Sequence, residues 1–199
     1  MKRFFLDSIF LIPFLILFWH CRPFEILLFL LAATLHESGH LLTMHCLHCR
    51  PAKFTLSPAG AKIETDAPLL SYRREILLFL SGPFANLLGC VGAFFWIRMH
   101  LSEPALYFFF CNFLLALLNL IPIRGLDGER SLSAFLSLFW EPGTVFWFSF
   151  WVSRFFLLFL WGLGVFLFMK IKNSSLLLLT VSLLLEEISG QRKKATSIS

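Results

Sequence analysis

Apolar residues along the chain are gathered into six runs, separated by shorter polar or charged stretches. A helix needs about 20 apolar residues to cross the hydrocarbon core of a bilayer, so each run predicts one membrane-spanning helix. The first, fourth and sixth runs are short, and the sixth could instead lie at the membrane interface. The predicted segments are Phe4–Trp19, Phe24–Cys46, Ile76–Ile97, Ala105–Ile121, Val145–Met169 and Ser174–Ile188.

The loop after the second segment, Leu47–Glu75, is the only long one, and its pattern differs from that of the runs. Between Ala52 and Thr65 polar and apolar residues alternate around Pro58 and Gly60, which predicts a short β-hairpin. Backbone groups at the edge of such a hairpin could pair with an extended peptide. The predicted fold class is therefore an all-α polytopic membrane protein of about six transmembrane helices, with a β-hairpin element after the second helix.

The composition supports a membrane protein with one domain. Hydrophobic residues make up 58% of the 199 residues and charged residues 15%, whereas a soluble domain carries about 25% charged residues. The length leaves no room for a second sizeable domain beside the spans. We expect a single integral membrane domain over residues 1–189, with its core at 24–135, and a polar C-terminal tail over 190–199.

The distribution of positive charge predicts the orientation, because cytoplasmic loops are enriched in Lys and Arg. If the N-terminus is cytoplasmic, the cytoplasmic loops and tail hold twelve of the 17 basic residues, and Arg154 lies within the fifth segment. The four on the opposite side are Arg22, Arg98, Lys170 and Lys172. This predicts a cell-membrane protein with both termini in the cytoplasm. No loop combines a long basic run with aromatic residues, so nucleic-acid binding is not expected.

The second segment carries the clearest chemical motif, His36-Glu37-Ser38-Gly39-His40. Histidines four residues apart project from one face of a helix and can bind one Zn²⁺ ion, and the intervening Glu can serve as the general base of a metalloprotease. Ionisable residues inside a membrane span are costly and usually functional. We therefore expect one Zn²⁺ per chain, held by His36 and His40, with Glu37 as the catalytic residue. The alternative is a polar helix face that packs against another span without a metal.

A catalytic zinc usually has three protein ligands, so a third has to come from elsewhere in the chain. Asp127 follows the fourth segment, whose apolar pattern is broken by Pro122 and Gly125. The second and fourth segments run in the same direction in the predicted topology, which brings Asp127 and the two histidines to the cytoplasmic side. Asp127 is thus the predicted third ligand. The alternative is a turn or cap residue before the next helix.

Three further features carry weaker predictions. Gly82-Pro83 loosens the third segment and allows a close approach of backbones, and Asn86 beside it could bind a substrate backbone or join neighbouring helices. Asn119, at the end of the fourth segment, is a second candidate for substrate binding. The run His45-Cys46-Leu47-His48-Cys49 offers ligands for a second, structural zinc or a redox pair, although a solvated helix end with incidental cysteines is the simpler interpretation.

Three motifs follow one another on successive segments: His36-Glu37-Ser38-Gly39-His40, Gly82-Pro83-Phe84-Ala85-Asn86 and Asn119-x-x-Pro122-x-x-x-x-Asp127-Gly128. Together they resemble the site-2 protease family of intramembrane zinc metalloproteases. The layout most resembles the sporulation-type branch (stage IV sporulation protein FB), whose metal motif lies in the second of six spans. The resemblance covers residues 24–135.

The resemblance implies an intramembrane zinc endopeptidase that cuts membrane-embedded or membrane-adjacent proteins, often to release a transcription regulator. Zinc would be held by His36, His40 and Asp127, and Glu37 would activate water. The implied partners are the lipid bilayer, a transmembrane or membrane-associated protein substrate and regulatory membrane proteins. The chain departs from the family pattern at Arg124-Gly125 and Glu129, where relatives often have more apolar or glycine residues. This difference concerns the shape of the loop and the choice of substrate.

Other classes of function fit parts of the pattern. A membrane zinc protease of another H-E-x-x-H class would take a Glu from a later helix as third ligand, and Glu186 or Glu187 could serve. A metal transporter should show polar residues through several spans, and the fifth and sixth segments show few. A catalytically inactive membrane adaptor should lack a ligand or the base, and none is missing from this sequence.

Overall fold

The computed structural model describes residues 22–48, 51–57, 60–65, 71–172 and 176–184. The helices are α1 (Pro23–Cys46), α2 (Tyr72–Met99), α3 (Glu103–Leu120), α4 (Asp127–Leu136) and α5 (Pro142–Ile171). Residues 176–184 are also helical and are labelled α6. Two strands, β1 (Pro51–Ser57) and β2 (Gly60–Thr65), lie between α1 and α2.

The ends of the helices follow from local sequence chemistry. Three of the long helices have a proline in the first turn, where the missing N–H has no helical partner to lose. At the start of α1, the Glu25 carboxylate also accepts a hydrogen bond from the backbone N–H of Arg22 at 2.9 Å. Helix α5 ends at Ile171, and the next residue, Lys172, adopts the left-handed conformation with φ 60°.

Among the described residues, four helices are long and apolar enough to cross a membrane, namely α1, α2, α3 and residues Pro142–Lys170 of α5. They coincide with the second to fifth predicted segments. Helix α2 begins at Tyr72, ahead of the predicted Ile76, because a helix can continue through polar residues beyond the apolar run. The first predicted segment, Phe4–Trp19, lies outside the described residues, and the sixth is described only over 176–184. The number of six spans therefore stays a prediction.

Strands β1 and β2 are antiparallel and occupy the part of the loop where the sequence alternates. Thr55 is opposite Lys62 and Ser57 is opposite Gly60, with a shift in register between Pro51 and Lys53. The two strands form a two-stranded sheet, so each has one strand neighbour among the described residues.

Helix α2 lies at the centre of the bundle and packs against α1, α3 and α4. Its crossing with α1 is close, because a Cβ added at Gly39 would meet the Ser81 carbonyl oxygen and, at 2.9 Å, the Cβ of Ala85. Such small-residue contacts are how helices approach each other in membranes. A separate apolar cluster joins the loop before α4 to α5 and α6; it consists of Ile123, Leu126, Leu157, Leu160 and Leu183.

Candidate metal centre

Helix α1 supplies two side chains of the centre from its buried face. His36 and His40 are 6% and 8% exposed, and they lie one turn apart in a row of buried residues that also contains Ala32 and Met44. A spacing of four residues places such side chains one above the other on a helix. Helix α1 thus directs the rings of His36 and His40 toward the protein interior.

The third side chain comes from the break between α3 and α4. Helix α3 ends at Leu120, and Gly125 then adopts a φ of 98°, a conformation that glycine reaches without the steric cost of a side chain. The backbone N–H of Arg124 donates to the Ser153 hydroxyl at 2.9 Å, which ties this loop to α5. Asp127 follows as the first residue of α4 and is buried beside the two histidines.

The three side chains form a compact triangle of ligand atoms. The Asp127 Oδ2 atom lies 3.0 Å from His36 Nε2 and 3.1 Å from His40 Nε2, and the two nitrogens are 3.2 Å apart. A tetrahedral zinc with bonds of about 2.0–2.1 Å would separate its ligand atoms by roughly 3.3–3.4 Å. The triangle therefore fits a zinc ion if the three ligand atoms move apart by a few tenths of an ångström.

Contacts behind the rings determine which nitrogen of each ring faces the triangle. His40 Nδ1 lies 2.8 Å from the carbonyl oxygen of Leu78, which can only accept, so Nδ1 donates. His36 Nδ1 lies 2.6 Å from Asn86 Oδ1 and donates in the same way. In a neutral imidazole the other nitrogen then carries a lone pair. Both Nε2 lone pairs point into the triangle, as metal-ligating histidines require.

The electrostatics of the triangle also call for a cation. Two lone pairs and a carboxylate oxygen converge in a buried space, which is unfavourable unless positive charge lies among them. When the rings carry a proton on Nε2 instead of a lone pair, burial raises the pKa of the Asp127 carboxyl, but the hydrogen bonds and charges of His36 and His40 outweigh this and lower the pKa to about 2. Asp127 is thus ionised at neutral pH and can act as a metal ligand.

Gly82 on α2 leaves the space beside the ligand nitrogens open. A Cβ added at this position would come within 2.7 Å of His36 Nε2 and would also clash with His40 Nε2. At Gly82 the backbone of α2 therefore comes close to the rings of His36 and His40. Glu37 lies on the adjoining part of α1 and is half-buried, and its charge acts on His40.

The other predicted residues fall outside the triangle. Asn86 is 0% exposed, and its amide nitrogen donates to the Ala32 carbonyl and to Asn112 Oδ1, both at 2.9 Å. This arrangement favours helix joining over direct contact with a substrate. Asn119 is half-buried and donates to the Leu115 carbonyl of its own helix at 3.0 Å, and the described contacts do not join it to the triangle.

The possible second metal site is not formed by the residues that the structure describes. There, the one group of three or more ligating side chains is His36, His40 and Asp127. His45, Cys46 and His48 are exposed at the end of α1 and beyond it. Cys49 lies outside the described residues, as do the alternative ligands Glu186 and Glu187.

Sequence reasoning missed Asn112, which is 0% exposed in the middle of α3 and contacts Asn86. A signal was present, because Asn112 is an amide in the middle of an apolar span, and polar side chains in membranes usually have a partner. It also missed Ser153, whose hydroxyl holds the loop that leads to Asp127.

The fold and this centre define a helical membrane protein with a buried two-histidine, one-aspartate cluster between α1 and the start of α4. The fold is similar to that of the Site-2 Protease from Methanocaldococcus jannaschii, with a TM-score of 0.65 at 20% sequence identity, over 90% of this chain and 86% of that one. No protein-family model matches the sequence, and a comparison with curated proteins gives no match. At this identity the similarity establishes a common fold, and it does not distinguish a sporulation-type branch.

Proposed function

We propose that this protein is an intramembrane zinc endopeptidase. The observation that carries the proposal is the triangle of His36, His40 and Asp127 ligand atoms, 3.0–3.2 Å apart inside a bundle of membrane-spanning helices. The similarity in fold to a site-2 protease supports it. Two imidazoles and a carboxylate also leave a fourth position open, as catalytic zinc sites do.

One zinc ion per chain would be held by the two Nε2 atoms and the Asp127 carboxylate. When bound, zinc acts as a Lewis acid that polarises a peptide carbonyl and acidifies water. Glu37, next to His36 on α1, accepts the proton of the attacking water and returns it to the leaving amide nitrogen. Asn86 and the Leu78 carbonyl keep the two rings oriented throughout.

The proposed substrate is a membrane-embedded or membrane-adjacent protein segment, for example a membrane-held transcription regulator. A helical substrate has its carbonyl groups in internal hydrogen bonds and must unwind before it can be cut. The outer edges of β1 and β2 offer backbone groups with which an extended segment could pair. Asn119, near the end of α3, remains a candidate for contact with that segment.

The remaining parts of the proposal rest on the sequence. Residues 1–189 form one membrane domain, both termini are cytoplasmic and the active site faces the cytoplasmic side, as the charge distribution predicts. The position of the metal motif in the second of six predicted segments supports a sporulation-type enzyme. The proposed partners besides the substrate are the lipid bilayer and regulatory membrane proteins.

The test is the zinc content of the full chain purified in detergent. We expect about one zinc per wild-type chain, and a sharp loss in His36→Ala and in Asp127→Ala, since a site with two ligands binds weakly. Asp66→Ala is the matched control for loss of an aspartate, because Asp66 belongs to the loop after the second predicted segment. Zinc retained in Asp127→Ala would place the third ligand elsewhere. A folded wild type without zinc would refute the enzyme and favour a membrane adaptor.

A further inference from the structure

A chain of hydrogen bonds crosses three helices and ends at a metal-ligating ring. Asn112 on α3 donates from Nδ2 to the Phe108 carbonyl at 2.9 Å, and its Oδ1 accepts from Asn86 Nδ2 on α2, also at 2.9 Å. Asn86 Oδ1 in turn accepts from His36 Nδ1 on α1 at 2.6 Å. Both asparagines are 0% exposed, so water does not compete for these contacts.

The orientation of both amide groups in this series of hydrogen bonds is fixed by backbone carbonyls, which can only accept. The Ala32 carbonyl takes one hydrogen of the Asn86 amide, and the Phe108 carbonyl takes one of the Asn112 amide. Asn112 must therefore present its oxygen to Asn86, and Asn86 must present its oxygen to His36. An oxygen at this place selects the His36 tautomer with a proton on Nδ1, which leaves Nε2 as the ligand atom.

We infer that Asn112 is a positioning residue for the metal centre, acting on His36 through Asn86. The inference rests on the proposed zinc site. Asn86 has two amide hydrogens, and Asn112 accepts the one that Ala32 does not. Without Asn112, that hydrogen is buried and unsatisfied, which weakens the preference of the Asn86 amide for the orientation that His36 needs. The orientation of His36 then becomes less fixed, although no ligand has been removed.

The packing of α2 against α3 supports a defined place for the Asn112 side chain. A Cβ added at Gly89 would come within 2.5 Å of Asn112 Oδ1 and within 2.7 Å of Leu35 Cδ2. A glycine at position 89 thus leaves room for the oxygen that accepts from Asn86. By contrast, a Cβ added at Gly92, almost one turn further along α2, meets nothing within 4 Å.

The experiment measures zinc affinity by chelator competition on the full chain in detergent. We expect Asn86→Ala to weaken binding by about 10–100-fold, as loss of the hydrogen-bond partner of a metal-ligating histidine does, and Asn112→Leu by on the order of 3–10-fold. Asn112→Asp should stay close to wild type, because a protonated carboxyl can make both contacts. The double variant should match Asn86→Ala alone, since Asn112 acts only through Asn86.

A second readout is the absorption spectrum of the Co²⁺-loaded protein, which reports ligand geometry. Its visible bands should shift in Asn112→Leu and not in Cys90→Ala, which removes another, partly buried contact between α2 and α3, from Cys90 Sγ to the Phe109 carbonyl. If Asn112→Leu does not fold, Gly89→Ala serves instead, since it crowds Asn112 Oδ1 without removing a polar group. It should weaken zinc binding, whereas Gly92→Ala should not.

Wild-type affinity in Asn112→Leu, or additive losses in the double variant, would overturn the inference. The proposed function would stand in that case as long as His36→Ala and Asp127→Ala still lose zinc. A wild-type chain that binds no zinc would overturn both.

Discussion

The bundle of α1–α4 and the pair α5 and α6 are held together in different ways. In the bundle, buried polar side chains meet across helices; these are His36, His40, Asn86, Asn112 and Asp127. Between α5 and α6, buried leucines meet, and the hydroxyls of Thr180 and Ser182 bond to carbonyls of their own helix. Apolar contacts alone give little preference for one neighbour in a lipid environment, so polar and small residues determine specific packing.

The exposed surface of α5 places fewer demands on the sequence than the buried contacts of the bundle. Most exposed residues of α5 are large and apolar, as are those of α1–α3 and as expected of helices in contact with lipid; on α5 they include Trp147, Trp151, Phe155, Leu158 and Phe159. Many apolar side chains can fill such positions equally well. In the α1–α4 bundle each polar atom instead needs a particular partner at hydrogen-bond distance. Substitutions should therefore have sharp local effects in the bundle and small effects on α5.

The sharpest test of this contrast compares two glycines. Gly82→Ala adds a methyl group within 2.7 Å of His36 Nε2, so we expect zinc content to fall from about one per chain to nearly none. Gly162→Ala, on α5, adds the same group where nothing lies within 4 Å, and zinc content should be unchanged. The measurement is the zinc content per chain of the two purified variants. Equal zinc in the two would show that α2 does not border the metal position.

A second substitution separates chemistry from metal binding within the bundle. Glu37→Gln keeps the shape of the side chain but cannot act as the base, so peptide cleavage should fall by about 10²–10⁴-fold while zinc content stays near one per chain. Co-expression with a candidate membrane substrate, followed by detection of the cleaved product, measures the effect. Glu141→Gln, at the exposed N-terminal boundary of α5, is the control and should cleave normally. Undiminished cleavage by Glu37→Gln would exclude Glu37 as the base.

The same contrast explains how far the sequence alone could predict the site. His36 and His40 were predictable because their spacing lies within one helix and depends only on helix geometry. Asp127 required the predicted topology, in which the second and fourth segments run in the same direction; the orientation of the chain in the membrane stays a prediction. Asn112 could not be assigned a partner, because its contact with Asn86 depends on how α2 and α3 are rotated against each other. That rotation depends on packing between the helices, and the sequence shows only an amide in an apolar span.

The fold was predictable to a similar degree. Apolar runs predicted α1, α2, α3 and α5, since an apolar length of about 20 residues is a strong signal. Helix α4 was not among the predicted segments, because Asp127–Leu136 is short and carries polar residues. Its position against α2 depends on contacts distant in sequence, such as Arg130 over the ring of Phe79 at 5.3 Å.

The smallest expected effect lies where the two regions meet. Ser153 on α5 accepts from the Arg124 backbone N–H at 2.9 Å, and its hydroxyl is fully buried. Ser153→Ala leaves that N–H without this acceptor, at a cost of about 1–3 kcal/mol. Because Arg124 belongs to the loop that leads to Asp127, part of this cost should appear as a loss of zinc affinity of roughly threefold.

Ser149→Ala is the matched control, since Ser149 lies one turn earlier on α5 and its hydroxyl is 2.8 Å from that of Ser133 on α4. It also removes a partly buried hydrogen bond between α4 and α5, yet it leaves the loop before Asp127 untouched. Both variants should melt at lower temperature than wild type, but only Ser153→Ala should also bind zinc more weakly. If the two serines affect zinc equally, α5 supports the centre through general packing, and the polar contact to the loop has no separate role.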